Sequence, residues 1–370
     1  MAGKSRNRPD NRSRIDRLRF SFLASGSDAF LVTEPHNIQY LCGFTGSAGM
    51  LLVEASRSTL YTDSRYTFQA HEEVSNSRIE IVRHGLIRAV GETLRKRKAV
   101  RGRLRVAYSS GHVTVAQLRA LQGASGSRVR WVDGGNAVEM LRAVKDSQEL
   151  AKMRAAAVLI SDVFTVAVPL IRAGLTEIDL AAELEHSMKR KGASGPSFET
   201  IVATGPHSAW AHARPSSKPL RKSELVVIDQ GAILHGYCSD MTRTVFLGRA
   251  SAKIRRMYRA VLAAQEAARA AIRPGITGGS VDAAARQVLK AEHLAQFFTH
   301  STGHGLGLEV HEMPRLGKGD ATVLEEGMVI TIEPGVYVEG LGGIRIEDDV
   351  VVTSTGAEDL TTAPREFLEL

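Results

Sequence analysis

The sequence predicts a two-domain protein, in which an α/β domain is followed by a larger α+β domain rich in antiparallel strands. Three observations lead to this fold class. At 370 residues the chain is too long for one ordinary core. Short apolar strands alternate with helical patterns over roughly residues 15–140, as is typical of α/β structure. Beyond residue 145, long helical patterns are separated by strands and turns, which predicts helices packed against a largely antiparallel sheet.

A basic segment precedes the first domain. Residues 1–19 carry seven Lys or Arg against two Asp, so they supply +5 of the net charge of +8. We expect residues 1–14 to form a disordered leader, because a segment this polar cannot bury a core. The rest of the chain carries only about +3, so we expect no nucleic-acid partner.

The first domain is predicted to span residues 15–144. Its strands are short apolar runs bounded by turn residues, and its helices are stretches with apolar residues at helical spacing. The basic run Arg95–Arg105 has no interleaved aromatics, so we interpret it as the end of a surface helix and the following turn. The predicted strands are 28–34, 50–54, 58–62, 79–82 and 104–108, and the predicted helices are 64–73, 86–98 and 113–123.

The second domain is predicted to span residues 145–370. Ser147 is a typical N-cap residue, and Leu150, Met153 and Ala157 recur on one face of the helix that follows. The two remaining segments, 199–248 and 297–360, are dominated by strands and turns. The predicted helices are 147–171, 177–192, 251–272 and 280–293.

Membrane insertion and a disulfide framework are not expected from this sequence. It has no run of 18 or more apolar residues, so we expect no membrane-spanning segment. Only Cys42 and Cys238 are present, about 200 residues apart, which excludes a disulfide framework. This cysteine usage favours a reducing compartment, and we expect the protein to be cytoplasmic.

The segment Leu225–Leu247 is predicted to form two strands around a tight turn. If Leu234 and His235 are the central turn residues, Asp229 lies directly opposite Asp240, with the Cβ atoms roughly 5 Å apart. Two carboxylates that close, in strands this apolar, either share a proton or hold a cation between them.

A second hairpin repeats the arrangement. The segment Val329–Val352 is predicted to turn around Glu339–Leu341, which places Glu333 directly opposite Glu347. Both coincidences depend on the assumed register, because a slip of one residue would move every side chain to the other face.

Strand alternation also predicts the neighbours of these carboxylates. Arg345 shares a face with Glu347, and we expect its charge to be committed to that carboxylate. Thr242 shares a face with the second carboxylate of the first hairpin. Ile344 and Ile346 point the opposite way, into a core.

Four carboxylates with one arginine nearby require neutralisation, and metal ions are the best candidates. Hard oxygen ligands suit Mn²⁺, Co²⁺, Mg²⁺ or Zn²⁺. An imidazole would complete such a site, and His304 is the obvious candidate, at the start of HGLGLEVHE (304–312). Glycines at positions 303, 305 and 307 let the backbone fold tightly around it.

Seven stretches of the sequence together carry a family resemblance. Five lie in the second domain: VIDQGA, YCSDMTRT, HSTGHGLGLEVHE, TIEPGVYV and GGIRIEDD; two lie in the first: HNIQYLCGFTGSAG and TDSRYTFQA. The five resemble, in order, the metal-site motifs of the M24 metallopeptidases, the creatinase, aminopeptidase P and prolidase family, and the two resemble the N-terminal domain of its aminopeptidase P-like members. The resemblance covers the chain after the leader and implies a creatinase-like α/β N-terminal domain and a pita-bread catalytic domain.

The resemblance implies a role for each of nine residues. The family's members hold two divalent metal ions per chain, and here we expect Mn²⁺, with Co²⁺ or Zn²⁺ as alternatives. A hydroxide that bridges the two ions would attack the scissile carbonyl. Asp240 and Glu347 would bridge the ions, and Glu333 would transfer the proton. The implied metal ligands are Asp229, Asp240, His304, Glu333 and Glu347; the implied catalytic residues are His212, His311 and Glu333; and the implied substrate-binding residues are His212, His300, His311 and Arg345.

Two positions depart from the family pattern. Gln230 follows the first ligand where many members have an apolar residue. It points away from the metal face, so we expect only a packing difference. Ala211 precedes His212 where proline is frequent, which affects the expected pose of that loop.

The resemblance implies proline-containing peptides as substrates and a homodimer as the assembly. We favour release of the N-terminal residue from peptides with proline second, because the N-terminal motifs are aminopeptidase P-like. The main alternative is an Xaa-Pro dipeptidase restricted to dipeptides, for which Arg214 would be the clamp on the proline carboxylate. Creatine amidinohydrolase and a metal-free binding module are disfavoured because all five ligands are retained. Methionine aminopeptidase is disfavoured by the full N-terminal domain.

Overall fold

The structure, a computed structural model, describes residues 11–97 and 102–370. The chain divides into two compact units, with the boundary between Arg142 and Ala143. Most of the predicted leader lies outside the described residues, as does part of the basic run after residue 97. The expectation that the disordered leader extends to residue 14 is wrong for residues 12–14, because a helix begins at Arg12 and buries Ile15 one turn later.

The first unit is built on a six-stranded mixed sheet in the order β4-β3-β2-β1-β5-β6. The β1–β2 and β2–β3 pairs are antiparallel, and the other three pairs are parallel. Its strands are β1 Ala29–Val32, β2 Gly49–Glu54, β3 Ser58–Asp63, β4 Arg78–Val82, β5 Leu104–Tyr108 and β6 Val129–Asp133. Its helices are α1 Arg12–Ala24, α2 Pro35–Cys42, α3 Thr67–Glu73, α4 Leu86–Arg95, α5 Val115–Ser125 and α6 Ala137–Ala143.

Every strand and helix predicted for the first unit is present, but four further elements were missed. These are α1, α2, α6 and β6. The helix α2 has only eight residues and begins at Pro35, and its N-cap is Glu34, which accepts a hydrogen bond from Asn37 N. A helix this short gives almost no periodic signal in a sequence.

The second unit contains the four long helices that the sequence predicts. The N-cap of the first helix is Asp146, not Ser147, because the Asp146 side chain accepts hydrogen bonds from the backbone N–H groups of Gln148 and Glu149. Thr176, Ser251 and Thr277 cap the other three. The helices are α7 Ser147–Ala167, α8 Glu177–Arg190, α9 Ala252–Ala271 and α10 Gly278–Ala291.

Among the described residues, one helical segment, Ser147–Leu170, has the length and hydropathy of a membrane span. Half of its most apolar stretch is buried within the protein. Met153, Ile160 and Phe164 are almost completely buried. These are the features of a core helix. The length and hydropathy of this segment are therefore only weak evidence of membrane insertion.

The strands of the second unit pair in antiparallel ladders. They form sheets in the orders β12-β9-β8, β11-β10-β7, β14-β13-β15-β18-β19 and β16-β17. The strands are β7 Gly195–Pro196, β8 Ile201–Thr204, β9 Leu225–Gln230, β10 Ala232–Leu234, β11 Tyr237–Cys238, β12 Met241–Phe246, β13 Gly303–Gly305, β14 Glu312–Leu316, β15 Val329–Ile332, β16 Gly335–Val338, β17 Gly342–Arg345, β18 Asp348–Val352 and β19 Ala357–Asp359.

The predicted register of the first hairpin is wrong by two residues. Asp229 pairs with Thr242, not with Asp240. The turn residues are His235 and Gly236, which have positive φ values of 52° and 81°. Positive φ at both central positions is what a two-residue hairpin turn of the favoured hand requires. A shift of two residues leaves every side chain on its original face, so Asp240 still faces the same side as Asp229.

The predicted register of the second hairpin is confirmed. Val338 pairs with Gly342 at the turn, and the same register continues from β16–β17 into the β15–β18 ladder. Glu333 and Glu347 lie opposite each other in the short gap between the two ladders. Ile344 is completely buried in the apolar cluster that also contains residues of α9 and α10, as the alternation predicts.

Candidate active site

All five residues expected to bind metal line one cavity of about 370 Å³ in the second unit. Two come from the first hairpin, one from β13 and two from the gap in the second hairpin. The ligand atoms of Asp240, His304 and Glu347 all lie within 4.8 Å of one another. His304 Nε2 lies 3.7 Å from Asp240 Oδ2 and 3.6 Å from Glu333 Oε1.

The backbone around His304 is packed too closely for a side chain at its neighbours. A Cβ atom at Gly303 would lie 1.9 Å from the Thr331 carbonyl oxygen, and one at Gly305 would lie 2.1 Å from the Met313 carbonyl oxygen. The His304 backbone N–H donates to Thr331 Oγ1 at 3.1 Å. His304 Nδ1 lies 3.0 Å from the Gly305 carbonyl oxygen, so Nδ1 carries the proton and Nε2 faces the carboxylates.

The carboxylates oppose one another's ionisation. Burial raises the pKa of Asp240 well above its usual range, and the charges of Glu347 and Asp229 raise it further. Burial, followed by the charge of Glu333, likewise raises the pKa of Glu347. Burial raises the pKa of Glu333 to about 8. A bound cation would favour the ionised form of these carboxylates.

The donor atoms at this site fit divalent metal ions. Asp229 Oδ1 and Asp240 Oδ1 are buried and have no hydrogen-bond partner among the described residues. Burial lowers the pKa of His304 to about 4, so its imidazole is neutral and able to bind a cation at physiological pH. Four carboxylates and one neutral imidazole form the oxygen-rich donor set that suits Mn²⁺, Co²⁺ or Zn²⁺.

Arg345 lies beside the site, but its principal partner differs from the one expected. Its Nη2 donates to Asp229 Oδ2 at 2.6 Å, rather than to Glu347. The guanidinium reaches Glu347 indirectly, because its Nε donates to Thr242 Oγ1 at 3.0 Å and that hydroxyl donates to Glu347 Oε2 at 2.6 Å. Arg345 therefore orients one carboxylate from each hairpin.

The three expected substrate-contacting histidines also lie at this site. His212 and His311 line the first cavity and, together with His300, a second cavity of about 580 Å³. The His311 ring lies 4.4 Å from the His304 ring, centroid to centroid. His300 Nε2 lies 2.8 Å from the Tyr337 hydroxyl, and burial lowers the His300 pKa to about 4.

Sequence reasoning missed two residues that support the site. Tyr337 contacts His300 and accepts a hydrogen bond from Arg345 Nη1 at 2.7 Å. Asp349 Oδ2 accepts a hydrogen bond from the Asp240 backbone N–H at 3.0 Å. Alternation along the strand that carries Arg345 and Glu347 could have indicated Asp349, which is two residues further on.

Gln230 behaves as expected. It is completely buried, and its Nε2 donates to the Ile160 carbonyl oxygen in α7 at 3.4 Å, away from the cavity.

The fold and this donor set define a metallopeptidase. Residues 151–354 match the model of metallopeptidase family M24, and residues 14–144 match the creatinase/prolidase N-terminal domain. The chain belongs to family M24, and the expected combination of a creatinase-like domain and a pita-bread catalytic domain is confirmed.

Relatives match the chain over nearly its whole length. An Xaa-Pro dipeptidase from Pyrococcus furiosus is 35% identical over 96% of this chain and 100% of its own. The solved structure of an Xaa-Pro dipeptidase from Bacillus anthracis is 36% identical, with a TM-score of 0.92 over 98% of this chain and 100% of its own. An X-Pro aminopeptidase from Thermotoga maritima is 37% identical, with a TM-score of 0.86 over 95% of this chain and 100% of its own.

Proposed function

We propose that the protein is an Xaa-Pro dipeptidase that uses two divalent metal ions, with Mn²⁺ as the preferred metal. We also propose that it is a homodimer located in the cytoplasm. The observation that carries the proposal is the convergence of the five expected metal ligands and three further histidines on two cavities that share lining residues. Full-length relatives named as Xaa-Pro dipeptidases support the substrate class. Sedimentation of the purified protein tests the dimer.

The metal ions would be held by Asp229, Asp240, His304, Glu333 and Glu347. Two divalent ions there supply positive charge that activates water and polarises the scissile carbonyl. Glu333 faces the cavity, and its Oε2 lies 3.9 Å from His300 Nδ1. We assign it the transfer of the proton from the attacking water to the leaving proline nitrogen.

His311 and His212 are placed to bind the substrate carbonyl and backbone. Burial lowers the pKa of His311, so its imidazole is neutral near pH 7 and keeps one N–H to donate. A donor aimed at the oxygen that becomes negative lowers the barrier to attack. An Xaa-Pro bond has no N–H, so recognition depends on carbonyl contacts of this kind.

The length of peptide that the site accepts depends on which protein group contacts the carboxylate of the substrate's proline. The sequence favoured longer peptides, whereas two of the three relatives described above are named as dipeptidases. A dipeptidase needs a cation for that carboxylate, since a buried unpaired charge is costly. Arg345 is committed to Asp229, and Arg214 is paired with Glu199. Arg315 lines the second cavity, and among the described residues it is not paired with a carboxylate, so we propose it as the clamp.

The test compares initial rates on Ala-Pro, Ala-Pro-Ala and a longer Xaa-Pro peptide. We expect Ala-Pro to be cleaved at least about 10²-fold faster than Ala-Pro-Ala, because only the dipeptide places its carboxylate at Arg315. Arg315→Met should remove most of this preference, and Arg214→Met is the matched control that should keep it. Equal or faster cleavage of the longer peptides would establish the aminopeptidase activity instead.

A further inference from the structure

A buried carboxylate outside the metal site holds the loop that carries His212. Glu177 is the first residue of α8 and is completely buried. Its Oε1 accepts a hydrogen bond from the Thr204 backbone N–H at 2.8 Å and lies 2.8 Å from His207 Nδ1. Its Oε2 accepts hydrogen bonds from Ser216 N at 3.1 Å and from Ser216 Oγ at 2.6 Å.

These contacts join the two ends of one segment, residues 204–216, which we call the His212 loop. Thr204 is its first residue and Ser216 its last, so a single carboxylate closes the loop at both ends. No Lys or Arg pairs with Glu177 among the described residues. Its charge is therefore stabilised by His207 and by the hydrogen bonds that close the loop, and the loop conformation and the carboxylate depend on each other.

The middle of the His212 loop is attached to the strand that carries Arg345. Ser208 Oγ accepts a hydrogen bond from the Gly343 backbone N–H at 2.9 Å. A Cβ atom at Gly343 would lie 2.1 Å from the Ser208 carbonyl oxygen, so the two backbones touch. Arg345 Nη1 donates to the Ala211 carbonyl oxygen at 3.2 Å, next to His212. His212 therefore lies between two attachments of the loop, the contacts of this strand with Ser208 and Ala211 and the contact of Glu177 with Ser216.

We propose that Glu177 is a positioning residue that fixes the His212 imidazole in the substrate cavity. The proposal deepens the proposed function, because it rests on the substrate-binding role of His212. Glu177→Gln retains the shape of the side chain but directs an NH₂ group at donors that need an acceptor. One end of the loop then loses hydrogen bonds that a buried position cannot replace with water.

Tryptophan fluorescence reports on the loop independently of catalysis. The chain has two tryptophans, Trp131 and Trp210. Trp210 lies in the His212 loop, is 68% exposed and packs edge-on against His207 with 5.2 Å between ring centroids. In a Trp131→Phe background, Glu177→Gln should give a faster anisotropy decay of Trp210. An unchanged decay would overturn the proposal.

Two further variants keep this experiment decisive. If Glu177→Gln does not fold, Ser216→Ala serves in its place. It removes the hydroxyl that donates to Glu177 and accepts from the Lys218 backbone N–H, and it should shift the decay in the same direction by a smaller amount. Glu149→Gln is the matched control, because Glu149 is another buried carboxylate of the second unit but accepts a hydrogen bond from the Tyr237 hydroxyl. It should leave the Trp210 decay unchanged.

A double-mutant cycle with His212→Ala tests the link to catalysis. Glu177→Gln should lower kcat/KM on Ala-Pro by about 10-fold or more, the range typical of residues that orient a functional group. In the His212→Ala background the same change should cost less than about twofold, since there is no imidazole left to position. Multiplicative losses would overturn the proposal. If His212→Ala alone kept full activity, the assigned role of His212 would fail, whereas the Trp210 decay would still test Glu177.

Discussion

Asp240 is the residue whose environment argues most directly for a bound cation. It is buried among Asp229, Glu347, Glu333 and Asp349, and burial and their charges raise its pKa. One of its oxygens has no partner among the described residues. A proton would neutralise this carboxylate but leave it unable to act as a metal ligand. A divalent ion would neutralise it and form the metal site.

Asp240→Asn should therefore remove activity without unfolding the protein. The amide keeps the shape of the side chain but carries no negative charge for a cation. We expect metal content per chain to fall and kcat/KM on Ala-Pro to fall by more than about 10²-fold, beyond the range typical of residues that only support a ligand. Metal analysis, activity and circular dichroism on one preparation check this. A variant with normal metal content and normal turnover would show that Asp240 is not a ligand.

Much of the candidate site could be predicted at the residue scale, because acids in apolar strands and a histidine between glycines are conspicuous. The partners of the long side chains could not. The guanidinium of Arg345 extends from one hairpin to Asp229 in the other, and strand alternation within one hairpin does not show which carboxylate it meets. The role of Tyr337 was missed because its hydroxyl contacts His300, which lies outside the hairpin that carries Tyr337.

The strand β13 is the element that places His304, and its conformation depends on glycine. Gly303→Ala would put a methyl group 1.9 Å from the Thr331 carbonyl oxygen, so β13 must move away from β15. We expect lower metal content and a free energy of unfolding lower by about 1–3 kcal/mol, the usual cost of overpacking.

The matched control for this change is Gly356→Ala, where the nearest atom to an added Cβ lies 3.8 Å away. It should change neither metal content nor the denaturation midpoint. If the Gly303→Ala protein had the same metal content per chain as the Gly356→Ala protein, the close packing of β13 would not be what positions His304.

At the element scale, long helices and regular hairpins could be predicted, and exact turns and short elements could not. The second hairpin was placed in its correct register. The first was shifted because the positive φ of His235 has no strong signal in a non-glycine residue. The shift was an even number of residues, so the functional face was still correct.

The pH dependence of stability is a property of the whole molecule and follows from the raised carboxyl pKa values. In the metal-free protein the Glu333 pKa is about 8, above its usual 4.5. The folded state then binds more protons than the unfolded state between these values, so stability falls as pH rises through about 8. Above about pH 7.5, one unit above the usual histidine pKa of about 6.5, the buried histidines are neutral in both states and do not oppose this trend.

We therefore expect the Tm of the metal-free protein to fall between about pH 7 and about pH 9. Saturating Mn²⁺ should reduce or reverse the fall, because ions bind the ionised carboxylates. Thermal unfolding followed with and without a chelator over this range checks the prediction. A metal-free Tm that rises with pH would mean that the carboxylates are not buried together.

Titration of the metal-free protein with Mn²⁺, with proline release from Ala-Pro as the readout, tests whether this cluster is a metal centre for hydrolysis before proline. We expect no release without metal, and a rate that rises to a plateau at about two ions per chain. Ala-Ala at the same concentration is the control and should be cleaved far more slowly. Full activity in the metal-free protein, or none at any metal loading, would show that the cluster is not such a centre.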